Sequence, residues 1–244
     1  MLALRKGSAF MVRYLIKYTK ESEIKFLSHL DLMRTIQRVI RRAKLPIEYS
    51  KGFNPHMSIS IAQPLSVGVY STGEYLDAVF IEAVDEKEIL KTLNENTVGG
   101  VKFLSVTKVA RKEGQKNQQA MATIDAAKYI INFKLQDESA LDMDSLMNLS
   151  QWTILKKSKS GEKETDIKPL VKEIKYSIDN KMLTIEGLLS CGSRENLSAS
   201  LLSEFIKTHV KGIKEDAFVD IKRVEMYAFK GKELLTLQEY FAQY

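Results

Sequence analysis

The rhythm of apolar and polar positions switches repeatedly between the two-residue period of a strand and the 3.6-residue period of a helix. MVRYLIKYTK, from Met11, alternates and is rich in β-formers, which predicts a strand over about 11–18. Ser28 followed by Asp31 has the form of a capping box, so a helix is expected to start at His29 and to run to Lys44, where Leu45-Pro46 stops it. MSISIAQPL predicts a strand through Ala62 and EYLDAVFIEA another from Glu74, with PLSVGVYSTG as a turn-rich connection between them. Asp85 caps EKEILKTLNEN, whose Ile89, Leu90 and Leu93 face inward, and VKFLSVTKVA closes the set as a strand. The order β-α-β-β-α-β is the ferredoxin-like pattern, an antiparallel sheet with two helices on one face.

Residues 111–127 are polar and weakly periodic, the expected linker, although Gln118 to Ala127 is compatible with a helix. The second half then repeats the order. KYIINFKL is a strand, ESALDMDSLMNLS a helix, QWTILKKSK a strand and SGEKETD a charged loop. KPLVKEIKYSID and KMLTIEGLLS form a hairpin turning at Asp179-Asn180. Ser193 caps the helix RENLSASLLSEFIKTHV, FVDIKRVEMYAF is a strand, and KELLTLQEYFAQY a short helix. The expected fold is therefore α+β: two tandem ferredoxin-like (βαββαβ) units with antiparallel sheets, residues 11–110 and 128–244, the second with an extra strand. Trp152, Tyr227, Phe229, Tyr240 and Phe241 fall at core spacings. Residues 1–10 read as an appendage, and either Met1 or Met11 can be the initiator.

Composition narrows this picture. A chain that is 44% hydrophobic and 28% charged is expected to be a soluble globular protein. No apolar run approaches the roughly 20 residues of a membrane span, and MLALRKGSAF lacks the apolar stretch of a secretory signal, so the expected location is cytoplasmic, with no membrane partner. The single cysteine, Cys191, excludes an intramolecular disulfide and any multi-cysteine zinc or iron-sulfur motif within the chain. A net charge of +6 and a pI near 9.1 favour an anionic partner.

Localising that charge changes the picture most. On a helical wheel Met33, Ile36, Ile40 and Ala43 share one side, while Arg34, Arg38, Arg41 and Arg42 form a stripe on the other. Arginine presents planar donors that match phosphate oxygens, although a solvated charged face has the same composition. A second basic run is Lys108, Arg111, Lys112 and Lys116. The loop YSKGFNPHM adds Lys51 for a phosphate, Gly52 for close backbone approach, Phe53 for stacking on a base and His56 for hydrogen bonding.

His29 falls on the apolar face of the helix, as a partly buried histidine or as a ligand-binding or acid-base group. If the loop folds over the start of the helix, His29 and His56 share a pocket. Asp31 faces the arginine side, so no metal site is expected. There is no G-x-G-x-x-G, Walker loop, H-E-x-x-H or G-x-S-x-G, and no cofactor is expected.

Ser28-His29-Leu30-Asp31 with Arg34, Arg42-Ala43, Pro46, Tyr49-Ser50, Gly52-Phe53-Asn54-Pro55-His56, Pro64-Leu65, Gly68 and Glu74 together resemble the signature of the radical-SAM-linked proteins, a bacterial domain family without an assigned function. Members occur fused to or encoded beside radical SAM proteins, so the resemblance implies such a partner. This chain has no C-x-x-x-C-x-x-C motif and cannot itself hold the cluster. More loosely, the element order is similar to that of the repeat-cleaving endoribonucleases of CRISPR systems. The leading expectation is a non-catalytic, RNA-binding accessory protein of a radical SAM enzyme, with His29, Arg34, Arg38, Arg41, Arg42, Lys51, Gly52, Phe53 and His56 as ligand-binding residues. The alternatives are a metal-independent endoribonuclease using His29, with Tyr49 and Lys51 nearby, and a protein-interaction module that docks the radical SAM enzyme.

Overall fold

The structure is a computed structural model that describes residues 11–110, 118–158 and 161–243. The expected appendage and residues 111–117 of the expected linker, with Arg111, Lys112 and Lys116, lie outside the described residues; the rest of that linker is not free chain, since Ala120–Thr123 is helical and a strand already begins at Ala126. The first half comprises β1 (Val12–Lys20), α1 (His29–Arg42), β2 (Ile59–Ile61), β3 (Val69–Phe80), α2 (Glu86–Asn96) and β4 (Phe103–Val109). The second comprises α3 (Ala120–Thr123), β5 (Ala126–Lys134), α4 (Met143–Asn148), β6 (Thr153–Ser158), β7 (Gly161–Asp166), β8 (Val171–Asp179), β9 (Met182–Ser190), α5 (Ala199–His209), β10 (Asp220–Lys230), β11 (Glu233–Thr236) and α6 (Leu237–Ala242).

The halves do not make two sheets. Nine strands join in one sheet of order β4-β1-β3-β10-β5-β9-β8, with β2 also on β3 and β11 on β10, while β6 and β7 pair apart from it. The pairings within this sheet are antiparallel except for β3 with β10, which run parallel from Ile221 opposite Val69 to Arg223 opposite Ser71. That seam explains why β3 begins at Val69 rather than Glu74. The stretch Val69 to Gly73 has the composition of a turn, but a partner strand distant in sequence supplies its hydrogen bonds. Gly73 is required there, because a Cβ would lie 2.4 Å from the Val224 carbonyl oxygen.

Other departures have local causes. SGEKETD is not a loop: Gly161–Asp166 pairs with β6 throughout, and a hairpin apart from the main sheet need not show a buried alternation. Ser198, not Ser193, caps α5 by accepting the Leu201 amide at 3.2 Å, since the intervening chain first returns to β9 through Leu197 N–H to the Ser190 carbonyl at 2.9 Å. The β8–β9 turn is centred on Asn180 and Lys181, both with positive φ. α6 is preceded by a short strand and carries a complete capping box between Thr236 and Glu239. Phe229 is 42% exposed rather than core, lying beneath the Lys172 ammonium, whereas Trp152, Tyr240 and Phe241 are buried.

Two hydrophobic cores result. One packs α1 and α2 on β1, β3 and β4 through Tyr14, Ile16, Ile36, Ile40, Leu76, Phe80, Ile89 and Leu93. The other centres on β5, β9 and α5, and reaches back through Leu15 and Tyr75 of the first half. Between them lies a polar seam. The fully buried Arg223 donates to both oxygens of Glu74, at 2.7 and 2.6 Å, and to the Gln63 carbonyl at 2.5 Å. Nearby, Tyr75 donates to Glu225 at 2.7 Å, and Arg13 donates to Asp77, whose other oxygen accepts the Ala120 amide at 2.8 Å.

Candidate nucleic-acid interface

α1 starts where its residues require. The Ser28 oxygen accepts the Asp31 amide at 3.3 Å, and the Ser28 hydroxyl donates to Asp31 Oδ2 at 2.6 Å. Arg34 then donates to Asp31 Oδ1 at 2.9 Å. The Ser28 hydroxyl first, and then the Arg34 guanidinium, hold the Asp31 carboxyl below its ordinary range. The helix ends at Arg42 rather than Lys44, with Ala43 as cap and Lys44 at φ +51, two residues before Pro46.

The buried face of α1 is wider than the wheel indicates, adding Leu32 and Val39 to Ile36 and Ile40, while Met33 is half-buried. Arg34, Arg38, Arg41 and Arg42 are all exposed on the opposite face. Their states differ. Arg34 is tied to Asp31, and Arg42 donates to the Asn96 carbonyl at 3.2 and 2.6 Å through two nitrogens. Arg38 and Arg41 have no hydrogen-bond acceptor among the described residues.

The loop beyond α1 is a closed hairpin. Ile47 pairs with Phe80 and Tyr49 with Met57, the Ser50 amide donates to the His56 carbonyl at 2.8 Å, and the His56 amide donates to Ser50 Oγ at 2.9 Å. Its tip, Lys51 to His56, is exposed throughout, and Phe53 is fully so. Gly52 sits at φ +135, where a Cβ would meet no atom within 4 Å. Glycine is needed at that point for the backbone conformation and not for space.

The candidate residues thus separate into two places. Lys25, just before α1, accepts the Gly68 amide at 2.9 Å at the start of β3, whereas Glu48, at the neck of the loop, donates to the Val79 carbonyl at 2.8 Å near its end. Roughly 35 Å of strand separates those anchors. His29, half-buried at the first turn of α1, therefore does not share a pocket with His56, and Tyr49 and Lys51 lie with His56. The far end of α1 leads within a few residues into the loop, and Arg34 to His56 carries six cationic side chains, Arg34, Arg38, Arg41, Arg42, Lys44 and Lys51, against one carboxylate, Glu48.

An apolar shelf escaped the sequence reading. Phe26, Val67 and Phe218 are all more than half exposed, and Phe26 meets Phe218 edge to face at 5.8 Å with Lys25 Nζ 4.5 Å from the Phe218 ring centre. Gly68 lies beneath the pair, 3.5 Å from Phe218 to its would-be Cβ. Phe218 is remote in sequence, so no local pattern reveals the pair.

A family model described as "Uncharacterized protein conserved in bacteria (DUF2344)" matches residues 13–199. No curated protein matches the chain. Among solved structures, a chain of a Cbf5-Nop10-Gar1 complex is 10% identical with a TM-score of 0.43, the match covering 87% of this chain and 48% of that one. An unknown protein from Galdieria sulphuraria is 10% identical with a TM-score of 0.26, over 88% and 99% of the two chains. The chain thus spans about half of the first of these, and likenesses this distant carry no assignment.

Proposed function

The chain belongs to the bacterial family of uncharacterized proteins whose pattern spans residues 13–199, and from that premise we propose that it is an RNA-binding accessory protein. One observation carries this reading: the outer face of α1 presents four arginines to solvent, with Arg38 and Arg41 hydrogen-bonded to no acceptor among the described residues and Lys44 and Lys51 following them. A guanidinium held out on a rigid helix keeps its donors for phosphate oxygens, and several along one face track a polyanion. The resemblance to the radical-SAM-linked proteins adds a radical SAM enzyme as the partner. In this reading the RNA is presented to that enzyme, and the chain itself needs no catalytic group.

The same reading takes the sheet as two ferredoxin-like units fused edge to edge. Its support is the matching strand orders β4-β1-β3-β2 and β10-β5-β9-β8, with β6 and β7 inserted in the second.

Filter binding of cellular RNA across a salt series tests the function. The expected slope of log affinity on log salt is about −0.7 for each phosphate neutralised on a single strand. An Arg38→Ala, Arg41→Ala double variant should bind more weakly and with a shallower slope. Affinity indifferent both to salt and to this substitution would sink the proposal.

A further inference from the structure

The tip of the loop after α1 goes beyond generic attraction to phosphate. Phe53 is a fully exposed aromatic on a hairpin whose neck is fixed by four backbone interactions, Ile47 with Phe80, Tyr49 with Met57, Ser50 with His56 and Ser58 with Glu48. Gly52 turns the chain at φ +135 immediately before it, and Pro55 stiffens the return. The neck fixes where the tip stands and leaves the Phe53 ring face free, with no intramolecular packing to give up when a partner lies on it.

What surrounds the ring indicates what it meets. Its neighbours at the tip are Ser50, Lys51, Gly52, Asn54 and His56, polar or cationic, with the Tyr49 ring partly exposed at the neck. An apolar protein contact calls for further apolar side chains beside the anchor. On this molecule the exposed aromatic pair, Phe26 with Phe218, lies at the other end of β3 with Val67, whereas the loop end adds only the half-exposed Met11 and Ile81 at its base and no further apolar side chain at the tip. An aromatic face with a cation beside it, next to a cationic helix, is instead the arrangement that holds a base by stacking and its phosphate by charge.

We propose that the site takes single-stranded RNA, with an unpaired base stacked on Phe53 and the flanking phosphates on Lys51 and the Arg41 end of α1. Duplex RNA offers that helix its phosphates but keeps its bases stacked internally, so it gains nothing from the loop. This deepens the RNA-binding reading and rests on it.

The test uses the full chain and two fluorescein-labelled probes, an oligouridine and a blunt RNA duplex of similar length, read by anisotropy at one fixed ionic strength. Wild type should prefer the single strand. Phe53→Ala and Phe53→Leu should each lose about 5- to 150-fold in oligouridine affinity, the range of one stacked base, with duplex affinity within about twofold of wild type. Because Phe53 packs on nothing, both variants should keep the wild-type circular dichroism and urea midpoint. A Phe53→Trp variant should retain the preference and show tryptophan quenching on oligouridine, which a purely apolar contact would not produce. If wild type binds both probes equally and the Phe53 variants change nothing, RNA binding stands and single-strand recognition is overturned. If neither probe binds in a salt-dependent way, the RNA reading itself falls; if the Phe53 variants instead abolish co-purification of a protein while leaving both RNA affinities unchanged, the tip is a protein contact.

Discussion

Arginine is used in two opposite ways in this molecule. At the seam between the halves, Arg223 is fully buried, forked onto Glu74 and satisfied further by the Gln63 carbonyl and the Tyr129 hydroxyl. On α1, Arg38 and Arg41 lie in water with no acceptor among the described residues. The buried guanidinium is a price of specificity, because taking both ions out of water offsets most of their attraction, while leaving either one alone is far more costly. It ties β10 to β3 where the two halves meet. The exposed guanidinia do nothing comparable for folding and remain available to an outside anion. One residue type thus holds the fold where it is paired and buried and, in the proposed reading, meets an outside anion where it is neither.

The sharpest way to break this contrast is at the seam. Glu74→Gln or Arg223→Met alone should lower stability by about 3–5 kcal/mol in urea unfolding, since each leaves an uncompensated buried group. The double Glu74→Leu, Arg223→Met variant should recover much of that loss, the two sites being directly bonded and so non-additive. Single variants within about 0.5 kcal/mol of wild type would show that the pair does not hold the halves together.

The same seam should be sensitive to alkali. Burial, ahead of every other cause, pushes the Tyr129 hydroxyl up to about 12, against the opposing pull of Arg223. Tyr70 also rises to about 12, again first by burial and then through its hydrogen bond to Asp220. An unfolded tyrosine ionises near 10, so the neutral phenol favours the fold fully below about pH 10, and that contribution is lost as pH rises towards about 12. For Tyr129 the loss is on the order of 2–3 kcal/mol. Urea midpoints followed from pH 8.5 to about 11.5 should fall in wild type and fall less steeply in Tyr129→Phe. A Tyr129→Phe profile parallel to wild type would place the alkaline sensitivity elsewhere.

What could be read beforehand divides along the same line. The start of α1 at Ser28, the Asp85 cap of α2, the inward Ile36, Ile40, Ile89 and Leu93, and the outward arginines all follow from contacts within a few residues. The seam does not. Glu74 and Arg223 are 149 residues apart, and Val69 to Gly73 has the composition of a turn because glycine there answers to the Val224 carbonyl across the sheet. Ser198 displaced Ser193 as a cap for a similar reason, since Leu197 must first reach β9. At the loop, the residues Lys51 to His56 were legible as candidates, but that the Phe53 ring stands free depended on where the hairpin stood relative to β3. His29 and His56 were separated by the length of that same strand, which nothing local encodes.

A smaller effect is expected at the start of α1, where structure and surface meet. Ser28→Ala removes the cap and should cost about 1 kcal/mol. It also removes the hydroxyl that does most to hold the Asp31 carboxyl down, leaving Arg34 as the main remaining cause. Asp31 contributes stability above its unfolded value near 3.9, lost as pH falls through its lower folded value. In Ser28→Ala the loss should therefore begin at higher pH, visible as a rise in the Asp31 carboxyl titration by NMR. An unchanged titration would assign the Asp31 shift to Arg34.

The smallest effect on stability should come from the largest charge change on the surface, and this is where the two kinds of arginine separate most cleanly. Arg38→Ala with Arg41→Ala removes two positive charges from an exposed face, alanine favours the helix, and Asp31, on which Arg38 acts only at a distance, keeps its ion pair with Arg34. The free energy of urea unfolding should move by no more than about 0.5 kcal/mol in either direction, and relief of repulsion among Arg34, Arg38, Arg41 and Arg42 makes slight stabilisation the expected sign. RNA affinity should fall in the same protein, with a salt slope reduced by about 1.4 if each side chain neutralises one phosphate of a single strand. A seam variant behaves in reverse: where it remains folded, Glu74→Gln should lose stability while keeping its slope. Should the stripe variant instead unfold as readily as the seam variant, the α1 arginines would have a structural role that their exposure hides, and the distinction between paired and unpaired arginine would no longer separate fold from function.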